Sequence, residues 1–253
     1  MTPKGATSKR RGLIPRQNFY MGPKGWLVKV RELSVMVDES GGEQGNSKYY
    51  LLTLVFHDQS DDIEGRLEAY ERSLADAGLP NHPFHASPLM NGHDDYEGCD
   101  AATRKTLLSK FSILVQRLPI RYKTFCYRRS ELGDRGAHST RMRKDISAFL
   151  FEHLDYFQQF DKVKVYYDDG QQIVSEALHA SIEFALAKEV ALFKRGTYGQ
   201  YRLLQVADFL CAIELAAVKY DAHEETSTDL KFFGGIGAFK KNWLKQAKRK
   251  RID

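Results

Sequence analysis

Acidic residues are missing from two stretches of this 253-residue chain. Residues 1–31 carry eight lysines or arginines, residues 231–251 carry eight more, and neither stretch holds an aspartate or glutamate. Residues 32–230 hold 22 basic against 32 acidic residues, so the body is acidic between two basic ends. This distribution fits a polyanion partner, because the ends can contact phosphates while the acids stay free for other chemistry. Cysteine is scarce as well. Cys99, Cys126 and Cys211 are odd in number and far apart, which argues against a disulfide framework and a cysteine-rich zinc site, and predicts reduced thiols in a cytoplasmic setting. The longest apolar run, Tyr49–Phe56, is far below the roughly 18 residues that span a bilayer. The basic start runs on through Gly12, Pro15, Arg16 and Asn18 without the apolar segment of a secretory signal, so no membrane partner is expected. No internal repeat is visible.

What is present, 42% hydrophobic and 28% charged residues, suits one domain with a large core. Residues 1–25 read as a flexible basic arm, 26–230 as the domain and 231–253 as a basic tail. Val28–Asp38 and Lys48–Phe56 predict two strands joined by the turn-rich SGGEQGN. Ile63, Leu67, Tyr70 and Leu74 recur at helical spacing, with Gly78 as the stop, and predict a helix over 61–77. From Leu79 to Cys99 no period is clear, and a loop this long is a candidate site loop. Further elements are a helix over 101–118, a strand in IRYKTFCY, a helix over 141–160, a strand in KVKVYY, a helix over 173–189 and a last helix over 201–220. The order predicts a mixed α/β fold with helices packed on a central sheet.

Carboxylates occupy unusual positions in this pattern. Asp38 and Glu39 end one strand and Asp168 and Asp169 another. Asp208 lies within LLQVADFLCAIELAA, on a stripe shared with Leu204, Gln205, Cys211, Ala212 and Leu215. A lone ionised carboxylate on a core-facing stripe costs several kcal/mol, so Asp208 must be protonated, paired with a cation or bound to a metal. Strand-end acids converging with a helix acid repel one another unless divalent ions neutralise them. Oxygen ligands select Mg²⁺ or Mn²⁺, and two such ions about 4 Å apart support phosphodiester cleavage. Strand alternation sends Asp168 and Asp169 to opposite faces, so only one of them can serve.

VMVDESGG, VYYDD and LLQVADFL resemble the motifs of the domain of unknown function 3800 family, which looks like a divergent branch of the ribonuclease H-like superfamily. The resemblance spans about residues 33–215. It implies a ribonuclease H-like mixed sheet flanked by helices and a metal-dependent nuclease site of Asp38, Asp168 and Asp208, with Glu39 close by. Of the second acidic pair, the motif match selects Asp168. FHASPL places His85 where the family tends to carry a histidine, which implies an outer-sphere group or proton shuttle.

Several groups have a supporting or competing reading. Gln205, one turn before Asp208, is placed to hydrogen-bond a ligand carboxylate or a nucleotide, or to orient Asp208. Arg128 and Arg129, with Arg135, Arg141, Arg143 and Lys144, are a candidate phosphate strip. Tyr198 and Tyr201 are candidate base-stacking rings, with core packing the competing reading. His82 and His85 lack partners at zinc spacing. Gly234–Gly237 lacks the lysine and hydroxyl of a phosphate loop and reads as a flexible hinge. The leading expectation is a Mg²⁺- or Mn²⁺-dependent nuclease acting on RNA or DNA. One alternative is a catalytically inactive nucleic-acid-binding or effector module of a bacterial defence or mobile-element assembly, with a protein partner or second copy. Another is a structural protein whose acids pair with the arginines around 128–144.

Overall fold

Strand Tyr49–Asp58 is apolar along almost its whole length, and the reason is that protein covers both of its faces. The computed structural model describes residues 19–21, 27–41, 47–167, 171–186, 190–193 and 201–253. Within them a short hairpin, β1 (Phe19–Met21) against β2 (Leu27–Lys29), precedes the main sheet. The sheet contains β3 (Glu32–Ser40), β4 (Tyr49–Asp58), β5 (Arg121–Arg128), β6 (Lys162–Tyr167) and β7 (Val190–Phe193) in the order β5-β4-β3-β6-β7. β4 runs antiparallel to β3 and β5, whereas β6 runs parallel to β3 and β7. The mixed α/β class expected from the element order is the one observed.

Alternation along β3 assigns its two faces. Leu33, Val35 and Val37 point into a core shared with α4 (Arg135–Glu152), α5 (Leu154–Phe157) and α6 (Gln172–Leu186). Met36 points the other way, into a core with α1 (Glu64–Asp76), α2 (Ala86–Asn91), α3 (Ala101–Arg117) and α7 (Arg202–Asp221). Asp38, two residues on, shares the face of Met36; Glu39 shares that of Val37.

The structure departs from the sequence reading in several places. The strand expected over 28–38 is two strands, with β3 reaching Ser40, and residues 19–21 of the expected arm are paired. The 79–99 segment contains α2 and a 3₁₀ turn at Asp94–Tyr96 rather than one long loop. α4 begins six residues early because Asp134 caps it, accepting from the Ala137 N–H at 2.8 Å, while its polar first turns carry no apolar period. β7 is a four-residue strand within a stretch whose apolar residues show no alternation.

The expected basic tail is folded onto the domain. It forms α8 (Ser227–Phe233), α9 (Ile236–Phe239), a π-helical turn at Lys240–Leu244 and α10 (Lys245–Lys248). Phe232, Phe233, Phe239, Leu244 and Ala247 are buried in the core of α3 and α7, and each large side chain contributes about 2 kcal/mol. Of the Gly234–Gly237 stretch, Gly234 and Gly235 form the tight link between α8 and α9 and the rest begins α9, and the carbonyl of Gly234 (φ 77°) accepts a hydrogen bond from the Tyr220 hydroxyl. Beyond α10, the Tyr122 N–H donates to Lys250 O at 3.0 Å and the Ile252 N–H to Tyr122 O at 2.9 Å, so the chain covers part of the β5 edge.

Candidate functional site

The motif DESG ends β3 at a position that favours glycine. Gly41 has φ 84°, and a Cβ there would stand 2.1 Å from the Tyr49 carbonyl oxygen. The chain thus presses against the start of β4 and fixes the strand end that carries Asp38 and Glu39.

Asp38 lies opposite Thr53 in the β3–β4 register, and the Thr53 hydroxyl is hydrogen-bonded to that of Thr124 at 2.8 Å. Over this face runs α7, which presents Asp208 and, one turn later, Cys211. The buried Cys211 thiol bridges Asp38 and Thr53. Burial holds the Asp38 carboxyl well above its ordinary range; the negative charges of Asp208 and Glu39 push it further, while the Cys211 thiol and the Glu39 N–H pull it back. Burial also raises the Cys211 thiol, with Asp38 adding to the effect, so this cysteine is a neutral donor. Asp38 is packed about by protein yet keeps some surface open to solvent.

Asp208 Oδ2 accepts from the Ala86 N–H at 3.1 Å and lies 3.4 Å from Nδ1 of the half-exposed His85. The segment that brings them, residues 81–86, is strapped along the first turns of α7. Gln205, fully buried, accepts from the Phe84 N–H at 3.1 Å and from Arg202 at 2.9 Å. Arg202 also reaches Asn81 and the His82 carbonyl. From the other side, the Tyr96 hydroxyl donates to Pro83 O at 3.0 Å, and the buried Arg104 donates to the carbonyls of Leu89 and Met90, both at 2.9 Å. Gln205 therefore holds the strap that carries His85. His82 packs edge-on against Tyr96.

Glu39 does not join this face. Its Oε2 accepts from the Tyr50 hydroxyl at 2.6 Å and the Tyr167 hydroxyl at 2.7 Å on the opposite side of the sheet. Burial first, and then the Glu39 charge, raises both phenols far above their ordinary range, so they stay protonated donors. Arg128 is exposed at the same end of the sheet as Asp38, two strands across and four residues along β5 from Thr124, a separation of about 16 Å by strand spacing and rise, with its guanidinium over the Tyr49 ring. The Arg129 N–H closes the adjoining turn on Lys48 O at 3.0 Å. Tyr201 packs against Tyr166, ring centroids 5.3 Å apart, consistent with core packing rather than an open stacking platform. Asp168, Asp169 and Tyr198 lie outside the described residues.

Asp38 and Asp208 suit a hard divalent cation in chemistry: both offer oxygen, and the two carboxyls stand side by side. Among the described residues, no three His, Cys, Asp or Glu side chains are grouped to hold a metal, so these two carboxylates form a partial set. β6 ends with Tyr167 in register with Val37, and the next residues in sequence are the Asp168 and Asp169 pair. The sequence reading placed Cys211 on the Asp208 stripe without giving it a role, and passed over Glu214 on the same helix. Glu214 accepts from the Tyr122 hydroxyl at 2.6 Å and pairs with Arg251 at 3.4 Å, which ties the basic C-terminal segment to α7. Their sequence signal was the near-continuous burial that LLQVADFLCAIELAA predicts.

No helix among the described residues is long and apolar enough to cross a membrane. No family model matches the chain, and no curated protein matches it significantly. Solved structures similar to it include a chain of the PCNA:RNase HII complex from Archaeoglobus fulgidus, 13% identical over 87% of this chain and 91% of that one, with a TM-score of 0.41. Another is ribonuclease H2 from Pyrococcus horikoshii, 12% identical over 86% of this chain and 98% of that one, with a TM-score of 0.34.

Proposed function

We propose that the chain is a divalent-metal-dependent nuclease whose Mg²⁺ or Mn²⁺ is held by Asp38 and Asp208, with Asp168 completing the set. The observation that carries this reading is the apposition of Asp38 on β3 with Asp208 on α7, where burial and the Asp208 charge penalise the ionised Asp38 unless a cation is present. When bound, the metal would polarise the phosphoryl oxygen and activate water. The residues of this chain supply the rest. The Ala86 N–H and His85 fix the orientation of Asp208, Gln205 and Arg202 hold the strap that carries His85, and Cys211 hydrogen-bonds Asp38. His85 is exposed enough to exchange a proton with solvent, and Arg128 stands at the same sheet end to receive a phosphate. The motif resemblance points to the same chemistry.

Replacement Asp208→Asn tests the reading. Parent protein with Mg²⁺ or Mn²⁺ is expected to cleave end-labelled RNA or DNA, and the variant to lose about a thousandfold in rate, the equivalent of several kcal/mol. A variant as fast as the parent overturns the assignment. Salt-dependent binding without product under either metal favours the inactive binding module instead.

A further inference from the structure

The C-terminal segment was expected to be a tail, and its folding turns scattered charge into a fixed pattern. α9, the π-helical turn and α10 run without a break from Ile236 to Lys248. Phe239, Leu244 and Ala247 point inward, Trp243 packs edge-on against Phe233, and Tyr220 of α7 stacks on Phe239 with ring centroids 4.7 Å apart. Lys241, Lys245 and Lys248 lie four and three residues apart, on one side of the rod, and all are exposed. Other cations nearby are occupied: Lys240 pairs with Asp221 at 3.0 Å, and Arg251 with Glu214 and Asp253. For Lys241, Lys245 and Lys248, no carboxylate among the described residues lies within ion-pair distance.

We infer that Lys241, Lys245 and Lys248 form a rigid ridge that binds the phosphodiester backbone of a nucleic acid at a distance from the carboxylate site. The partner class is chosen by two observations. The ridge is purely cationic, which suits a line of phosphates, and most of its apolar side is spent on the core, so the exposed apolar side chains of the segment are the scattered Leu230 and Ile236 and not a continuous face to insert into a bilayer. The ridge packs on the C-terminal end of α7, where Tyr220 lies twelve residues beyond Asp208, a separation of about 18 Å along the helix axis. That length matches about five base pairs of duplex, so one nucleic acid is long enough to reach both places. As a substrate-holding surface the ridge rests on the nuclease reading; as a binding surface it stands alone.

The test is performed in EDTA, where no cleavage occurs, with a fluorescent 20-base-pair duplex titrated over a range of salt concentrations. The triple variant Lys241→Gln, Lys245→Gln, Lys248→Gln is compared with a charge-matched control at three other exposed cations, Arg72→Gln, Lys105→Gln, Lys162→Gln, on α1, on α3 and at the start of β6. The ridge variant is expected to flatten the slope of log K against log salt by about 2.7, or 0.9 per contact, and the control by much less. An unchanged slope, or an equal loss in the control, overturns the inference, as does binding to phosphatidylserine vesicles without binding to the duplex. Circular dichroism checks that both variants are folded. A flattened slope in a protein whose parent never cleaves with Mg²⁺ or Mn²⁺ would refute the nuclease reading and leave the ridge standing.

Discussion

Asp38 and Glu39 are adjacent in the chain, and the sheet sends them to opposite environments. On the α4/α6 face, two phenols donate to Glu39, a carboxylate satisfied by neutral hydrogen bonds. On the α7 face, Asp38 meets one thiol and a second carboxylate, and its ionised form is penalised. The difference teaches that an acidic pair at a strand end is two separate devices: one ties strands together, and the other is left wanting a cation.

The largest expected effect separates the two in catalysis. Asp38→Asn is expected to cost about a thousandfold in metal-dependent cleavage, while Glu39→Gln, which keeps an oxygen for the two phenols, stays close to the parent rate. Equal losses in a gel-based cleavage assay would erase the distinction. In stability the order reverses. Tyr50→Phe and Tyr167→Phe each remove a hydrogen bond to a charged group and are expected to lower unfolding free energy by about 1–3 kcal/mol in urea titrations, with little effect on cleavage. The smallest effect concerns pH. Below the ordinary value of 3.8, the Asp38 carboxyl is protonated in folded and unfolded chains alike. As pH rises, the unfolded chain ionises first while the folded one keeps its proton, so stability falls until pH passes the raised folded value. In EDTA the parent should therefore lose melting temperature relative to Asp38→Asn as pH rises above about 4, and millimolar Mg²⁺ should shrink that gap. A gap that does not vary with pH would place Asp38 in an ordinary solvated setting.

The long periodic helices and the two central strands were legible in the sequence because each carries a strong apolar rhythm. Ile63, Leu67, Tyr70 and Leu74 fixed α1 to within a few residues. β7 was not legible, since four residues cannot establish a period. The C-terminal helices escaped because their charges were read and their apolar residues were not: Phe232, Phe233, Phe239, Trp243 and Leu244 are interleaved with the lysines at core spacing. At the site, Asp208 was legible as an acid on an apolar stripe. Its partner strand was not, because helical spacing cannot say which part of a sheet a helix crosses, and for that reason the Cys211 contact with Asp38 went unseen. The separation of Asp38 from Glu39 was available in principle, since it follows from alternation alone.

The stretch past α10 crosses the rim of the sheet at β5. Phe239 and Leu244 anchor on the α7 side, and Ile252, eight residues beyond Leu244, is buried on the α4/α6 side. A single ribbon thus clasps both layers around one border strand, so neither layer is free to peel off alone and the molecule should melt as one unit. Where the clasp meets Tyr122 it also occupies backbone groups that another chain would need to add a strand, which makes that border a poor seed for aggregation.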